Sequence, residues 1–572
     1  MFARMKKDNK KKKVQQPAAS PAAKKNLGGD SAISAFLGSN NFFYLLLGLV
    51  ILWVCIVRWR LVGMPLERDE GEYAYIGQQI LKGITPYIEA YNMKLPGIYY
   101  MYALIMAIFG ETYKGIHTGF LIMNAATMLL LFLSLRKFFN PMTGLLTAGF
   151  YGLMAITNNV LGFAAHATHF AVFYLSLSLF FFAKYEEKKK WLFALLSGGM
   201  LGMAFLMKQQ AVYFILFGGI LFLVFQFLNK PVSIPHLIKH TCAFTAGVFI
   251  PYVIVLIIML ATGAFHKFWF WTVQYAGKYA SGLSWSSGKD LLKMTFAPIW
   301  NEFEWIWYLA IAGALIVAIA RFSLKQKIFA LTFIVFAFLA TTPGFYFRQH
   351  YFIVLLPAAA LLAAISLEYI FRFIAEKTKL KFVALVLPVA VLFFLFNTVF
   401  SAAKGFYATE NPIGLCKAIY TTNPFVESVE VAKYIQANSS DTDKIAVLGS
   451  EPQIAFYAHR KSATGHIYTY GLMEIHEYNL KMQEEMISEI ERSKPLFFVF
   501  VNVAFSWLSQ PKSPMKIFEW SQKYSTENYN LVGLVDIPGQ GQSSIYWNEA
   551  ANRKPQNQNC MWIFKRKEAV KK

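Results

Sequence analysis

The chain has 572 residues, 56% of them hydrophobic and only 15% charged, with 54 phenylalanines. A soluble enzyme of this length carries more charge, so the composition excludes that class and points to a polytopic membrane protein. Its 55 basic against 32 acidic residues give a formal charge of +23, which cytoplasmic loops and anionic lipid account for without nucleic acid.

Residues 1–38 open with a basic stretch rich in Lys, Gln, Ala and Pro, read as a disordered cytoplasmic tail. The first apolar run follows too late for a cleavable signal, so it is read as a retained helix. Apolar runs then lie near 41–57, 97–110, 116–134, 143–157, 165–183, 191–206, 211–227, 240–261, 303–320, 328–342, 350–370 and 380–400. A helix needs about 20 apolar residues to cross hydrocarbon, which leaves 97–110 short. If that run stays on the surface, the basic linkers all fall on the cytoplasmic side. These are Arg136-Lys137, 184–190, Lys230 with Lys239, 321–327 and 372–381. The expected fold is therefore a polytopic α-helical membrane domain over 39–400 with about eleven transmembrane helices. It sits in the cell inner (plasma) membrane with its amino terminus in the cytoplasm.

The segment 401–572 differs. Residues 443–450 and 495–501 read as buried strands, 530–536 as another, and 481–492 carry a helical pattern. Alternating strand and helix signals predict a C-terminal α/β domain. An odd number of crossings puts it outside the cell membrane, in the periplasm or extracellular space. Cys55, Cys242, Cys416 and Cys560 are too scattered for a metal motif, and a Cys416–Cys560 bridge stays open.

That topology gathers the chemically capable residues on the outer face. Leu66-Glu67-Arg68-Asp69-Glu70-Gly71-Glu72-Tyr73 carries several carboxylates in one short stretch. Such a cluster suits a general base or a cation site, or else a solvated turn capping the helix that begins near Tyr73. Lys94 precedes Leu95-Pro96, and Lys208 begins Lys208-Gln209-Gln210. Either can pair with a lipid-linked phosphate at the interface or anchor a segment end. Arg348 can grip a phosphate in two bonds, while His350 either donates to it or packs as a neutral ring beside Tyr346 and Tyr351. His166 and His169 are three apart on one helical face, a spacing that fits a cavity hydrogen-bond role better than a two-ligand metal site. The aromatic residues Trp269, Trp271, Tyr275, Trp300, Trp305 and Trp307 form either an interfacial belt or a substrate wall.

Asp69-Glu70 with Tyr73, the Lys94-Leu95-Pro96 step, Lys208-Gln209 and the Arg348 to Tyr351 stretch resemble the GT-C membrane glycosyltransferases. The nearest branch is the protein O-mannosyltransferase and aminoarabinose transferase-like group. The similarity covers roughly residues 40–400 and implies an extracytoplasmic tail domain as well. It implies inverting sugar transfer from a polyprenyl-phosphate donor to a lipid, glycan or protein acceptor on the outer face. By that resemblance Asp69 is the catalytic base and Glu70 stands beside it. Lys94, Lys208, Arg348 and His350 hold the donor phosphate. Tyr73, His166, His169, Gln209 and Tyr351 line the acceptor cavity. No cofactor is certain and no metal ligand is assigned, with a divalent cation left open. Related enzymes usually carry a second acidic residue in the outer turn after the third span. Here 157–169 has none, so either a His orients the acceptor, the acceptor geometry differs, or the chain is inactive. The alternative is a transporter or flippase of a lipid-linked substrate, which predicts a repeat between halves that this sequence lacks. A non-enzymatic scaffold would leave Asp69 replaceable.

Overall fold

A computed structural model describes residues 39–568. The basic tail expected over 1–38 lies outside the described residues.

Bilayer hydrocarbon offers the backbone no hydrogen-bond partners, so an apolar run there folds into a helix that satisfies its own N–H and C=O groups. Among the described residues, seven helices are long and apolar enough to cross a membrane. They are Asn40–Leu61, Tyr113–Phe138, Ala167–Lys188, Gln209–Leu228, Ile234–Ala261, Leu356–Thr378 and Phe382–Ala402. The pair Trp285–Glu302 and Glu304–Ile319 meets at 99° and raises the number to eight if it counts as one broken span. Every other apolar run of the sequence also forms a helix, but a shorter one: Pro141–Met154, Trp191–Met207 and Leu324–Leu339 have 14 to 17 residues. The count of long spans is thus lower than the eleven read from hydropathy, because hydropathy marks apolar runs and not the length of helix each one supports.

The run 97–110 is the helix Gly97–Phe109, whose 13 residues rise about 20 Å and fall short of the roughly 30 Å hydrocarbon core. Its buried face, including Ile98, Tyr99 and Tyr102, packs against the helix Arg68–Leu81. That second helix carries the acidic stretch.

The carboxyl-terminal part holds a six-stranded mixed sheet. The strands are β1 (Lys444–Leu448), β2 (Lys461–Ser462), β3 (Phe497–Asn502), β4 (Tyr529–Asp536), β5 (Ser544–Trp547) and β6 (Cys560–Arg566), in spatial order β2-β1-β3-β6-β4-β5. β1 pairs parallel with β2 and β3, and the remaining pairs are antiparallel. The predicted strands and the helix Asn479–Ser493 all form, since their Phe, Val and Ile alternate or cluster with the period each element requires. All four cysteines are free, so the bridge left open above does not form.

This α/β part is seated on the loop and helix over 62–96. Leu66 N–H donates to the Tyr457 hydroxyl (2.8 Å), Ser462 N–H to the Tyr75 hydroxyl (2.8 Å), and Tyr91 N–H to the Gly465 carbonyl (2.8 Å). Two glycines permit the approach. A Cβ on Gly71 would lie 2.8 Å from the Gln453 side chain, and one on Gly465 would lie 2.2 Å from the Tyr91 ring.

Candidate active site

The helix Arg68–Leu81 starts at the N-cap Glu67. The Glu67 carboxylate accepts from Glu70 N–H at 2.9 Å, and the Glu70 carboxylate accepts from Glu67 N–H at 3.2 Å, a reciprocal capping box. Carboxylates in a first turn are favoured by the helix dipole. The acidic stretch is therefore a helix start, as one sequence reading held, but the helix begins five residues earlier than Tyr73 and is buried rather than solvated.

One turn of helix sends these carboxylates in different directions. Glu70 points inward, where its Oε1 accepts from Ala165 N–H (2.6 Å) and contacts His117 Nε2 (2.9 Å). Glu72 is fully buried and accepts from the Tyr99 hydroxyl (2.7 Å), Asn92 (2.8 Å) and Lys94 (2.5 Å). Arg68 turns the other way and does not neutralise its neighbours. Its guanidinium pairs with Glu451 (2.6 Å) and donates to Ser450 O (2.7 Å), Asn423 (3.1 Å) and the Tyr470 hydroxyl (3.0 Å).

With Glu67 and Arg68 beside it, Asp69 faces open space. It lies in the wall of a cavity of about 750 Å³. Its Oδ1 accepts from Lys94 Nζ (3.0 Å) and the Tyr468 hydroxyl (3.1 Å), while its Oδ2 accepts no hydrogen bond among the described residues. Burial pushes the Asp69 carboxyl up, but Lys94, His350, His166 and Lys208 more than reverse this and hold it below the ordinary carboxylate range.

The cations reach the same cavity from separate loops. Lys94 Nζ sits between Asp69 and Glu72 and over the rings of Tyr73 and Tyr468. Gln209 donates to Met93 O (2.6 Å) and so ties the Lys208 turn to the Lys94 loop. Lys208 has no carboxylate partner within salt-bridge distance among the described residues and rests over the Tyr351 ring at 4.4 Å. Burial pushes its ammonium down to about 7, against the pull of Asp69. Arg348 is exposed to the cavity beside Tyr346. His350 stacks on His166 at 4.2 Å and meets Tyr351 edge-on at 5.0 Å.

Nine of the eleven residues singled out from sequence line this one cavity: Asp69, Tyr73, Lys94, His166, Lys208, Gln209, Arg348, His350 and Tyr351. Glu70 and His169 do not. Glu70 is taken up by His117, and His169 lies deeper, edge-on to Phe120 at 4.8 Å. The aromatic residues divide between the two readings: Trp271 and Tyr275 line the cavity, whereas Trp269 and Trp305 are exposed. The tail contributes a wall that sequence reasoning missed, made of Tyr420, Asn423, Phe425, Tyr468, Tyr470 and Glu474. No local signal marks these residues, because their partners lie hundreds of positions away.

Asp69, His166 and His350 each offer a donor atom, all within 4.8 Å of one another. Both ring nitrogens of His166 are buried without a hydrogen-bond partner among the described residues. Two imidazoles and a carboxylate are a donor set that takes a divalent transition ion. The cluster therefore offers a donor set for the divalent cation that the sequence reading left open. That reading weighed only the His166–His169 spacing, while the donors that join His166 are Asp69 and His350, from distant parts of the chain.

A family model described as dolichyl-phosphate-mannose-protein mannosyltransferase matches residues 93–257. ArnT from Cupriavidus metallidurans bound to undecaprenyl phosphate superposes with a TM-score of 0.56 at 14% identity, covering 92% of this chain and 98% of that one. The chain shares its fold with this ArnT. The apo state of the same ArnT gives a TM-score of 0.53 at 13% identity, with the same coverage. The Archaeoglobus fulgidus oligosaccharyltransferase tethered to an acceptor peptide gives 0.51 at 13% identity, covering 90% of this chain and 75% of that one. No curated protein sequence matches the chain.

Proposed function

We propose that this GT-C chain is an inverting glycosyltransferase that moves a sugar from a polyprenyl-phosphate carrier to a lipid, glycan or protein hydroxyl on the outer face of the membrane. One observation carries the reading. Asp69 Oδ2 is free toward a cavity whose other walls hold Lys94, Lys208 and Arg348. A departing carrier phosphate needs fixed positive charge, and an attacking hydroxyl needs a base on the opposite side of the sugar. The two solved GT-C structures support it by likeness, one bound to undecaprenyl phosphate and one tethered to an acceptor peptide.

Lys94 links the two halves of this chemistry. Without donor it neutralises Asp69 and Glu72. A phosphate arriving beside it shares its charge, which relieves the hold on Asp69 and strengthens that carboxylate as a base. Arg348 offers a fork to the phosphate oxygens, and His350 stands next to it as a neutral donor. His166 takes the part of the missing second acid in orienting the acceptor, and Tyr73 and Tyr351 shape the cavity around it. A divalent cation, where one binds, would be held by Asp69, His166 and His350 and would supply positive charge to the cavity. Purified protein given candidate polyprenyl-phosphate sugars should transfer sugar to an acceptor. No transfer from any donor, together with carrier movement across vesicles, would replace this reading with a flippase.

Lys208 makes donor binding pH-dependent. A glycosyl phosphodiester keeps its single charge across neutral pH, so only the lysine titrates. Its pKa near 7 means that the cation is present below that value and is lost as pH rises through it. Donor Kd measured from pH 6 to 9 is expected to weaken above 7, by an amount set by one charged hydrogen bond of about 1.5–3 kcal/mol. Lys208→Arg, charged throughout, should flatten the profile.

We also propose eleven crossings, with the shorter helices completing the count, a cytoplasmic amino terminus and an external α/β domain over 401–572. The basic linkers support this orientation. Lys512 is exposed in a loop of the α/β part. Lys512→Cys on intact cells should react with an impermeant maleimide. Protection until the membrane is breached would reverse the orientation.

A further inference from the structure

Tyr468 lies 399 positions from Asp69 in the chain, yet its hydroxyl donates to Asp69 Oδ1 at 3.1 Å. Its ring lies 4.9 Å from the Lys94 ammonium, and it faces the cavity. The segment that carries it is held at both ends. At one end Tyr91 N–H bonds the Gly465 carbonyl, and Gly465 has no room for a side chain. At the other, Thr469 N–H donates to Ser450 Oγ (2.9 Å) and the Thr469 hydroxyl donates to Ser506 O (3.0 Å). Ser450 follows β1, Ser506 follows β3, and the Tyr468 segment follows β2.

These are the carboxyl ends of the three parallel strands, the edge where open α/β sheets place their ligands. Here that edge receives Arg68, which donates into Ser450 O and pairs with Glu451 one residue before Asp69 in the helix. The sheet edge thus grips the residue next to the base and sets a tyrosine against the base itself.

We propose that Tyr468 is a positioning residue for transfer, supplied by the α/β part to the membrane-embedded site. It works by sharing Asp69 Oδ1 with Lys94. With two donors on Oδ1, the carboxylate cannot rotate freely, and Oδ2 stays directed at the acceptor hydroxyl. The α/β part is on this account half of the active site and not an appended module. The inference rests on the reading of Asp69 as the base.

The test uses the full chain in nanodiscs and the donor that the wild-type chain accepts. Tyr468→Phe keeps the ring and its packing and removes one O–H. The expected result is a fall in kcat of about 10- to 100-fold, matching loss of a hydrogen bond to a charged group, with donor KM within about twofold. Adding Asp69→Asn to Tyr468→Phe should slow turnover no further than Asp69→Asn alone, because the two act through one group. A 3-fluorotyrosine at 468 retains the donor and should hold kcat near wild type. Wild-type kcat in Tyr468→Phe, a loss carried in KM, or losses that multiply in the double variant would each overturn the proposal while leaving the glycosyltransferase reading intact. Absence of transfer by the wild-type chain from every donor would instead overturn that reading, and this proposal with it.

Discussion

Asp69→Asn is expected to lower turnover by roughly 10²–10⁴-fold while donor affinity changes little. The amide keeps the shape and can still accept from Lys94 and Tyr468 through its oxygen, so the fold is preserved. What disappears is the proton acceptor at Oδ2, which accepts no hydrogen bond among the described residues and faces the cavity. Because its neighbours hold Asp69 below the ordinary carboxylate range, the base is ionised at neutral pH. Glu70→Gln tests the opposite case. Glu70 is buried against His117 and the Ala165 N–H and does not reach the cavity, so its loss should act on stability more than on turnover. Steady-state kinetics with thermal unfolding separates the two. Full turnover in Asp69→Asn would remove the base from the mechanism.

Lys94→Ala is expected to be the most damaging single change outside Asp69, and for two reasons. It removes a charged group from the carrier phosphate, worth about 1.5–3 kcal/mol of donor interaction. It also leaves Glu72 buried without its cation, and breaking a buried pair from one side costs about 3–5 kcal/mol. Burial already raises Glu72, and Lys94 opposes that rise. Without Lys94 the carboxyl rises further, so the stability deficit is largest at high pH and shrinks as pH falls and Glu72 takes up a proton. Adding Glu72→Gln removes the stranded charge. The double variant should regain much of the lost stability yet remain unable to use donor. Recovery of donor use together with stability would mean that Lys94 serves the fold alone.

Much of this site was legible without coordinates because membranes simplify the reading. Charged groups at the lipid boundary stand out against long apolar runs, and the positive-inside bias sorts them by side. Asp69, Lys94, Lys208 and Arg348 could be grouped in that way, and the chain brings all four to one cavity. The same logic could not separate Asp69 from Glu70. Both lie in the first turn of one helix, and only the rotation of that helix decides which faces His117 and which faces the cavity. Nor could it foresee that Lys94 pairs with Glu72, which depends on how the helix Gly97–Phe109 packs against the helix Arg68–Leu81.

The amino-acid sequence by itself determined the membrane class, the α/β character of the carboxyl-terminal part and the acidic and basic groups that line the cavity, because hydropathy, strand periodicity and charge placement are local properties. Tertiary structure alone decided that Asp69 and not Glu70 faces the cavity, that His166 and His350 stack beside Asp69, and that Tyr468 and Arg68 join the carboxyl-terminal part to the helix Arg68–Leu81. Those are contacts across up to 399 positions of chain. They arise from how packed helices and a sheet edge meet in space, and no local pattern of residues records that.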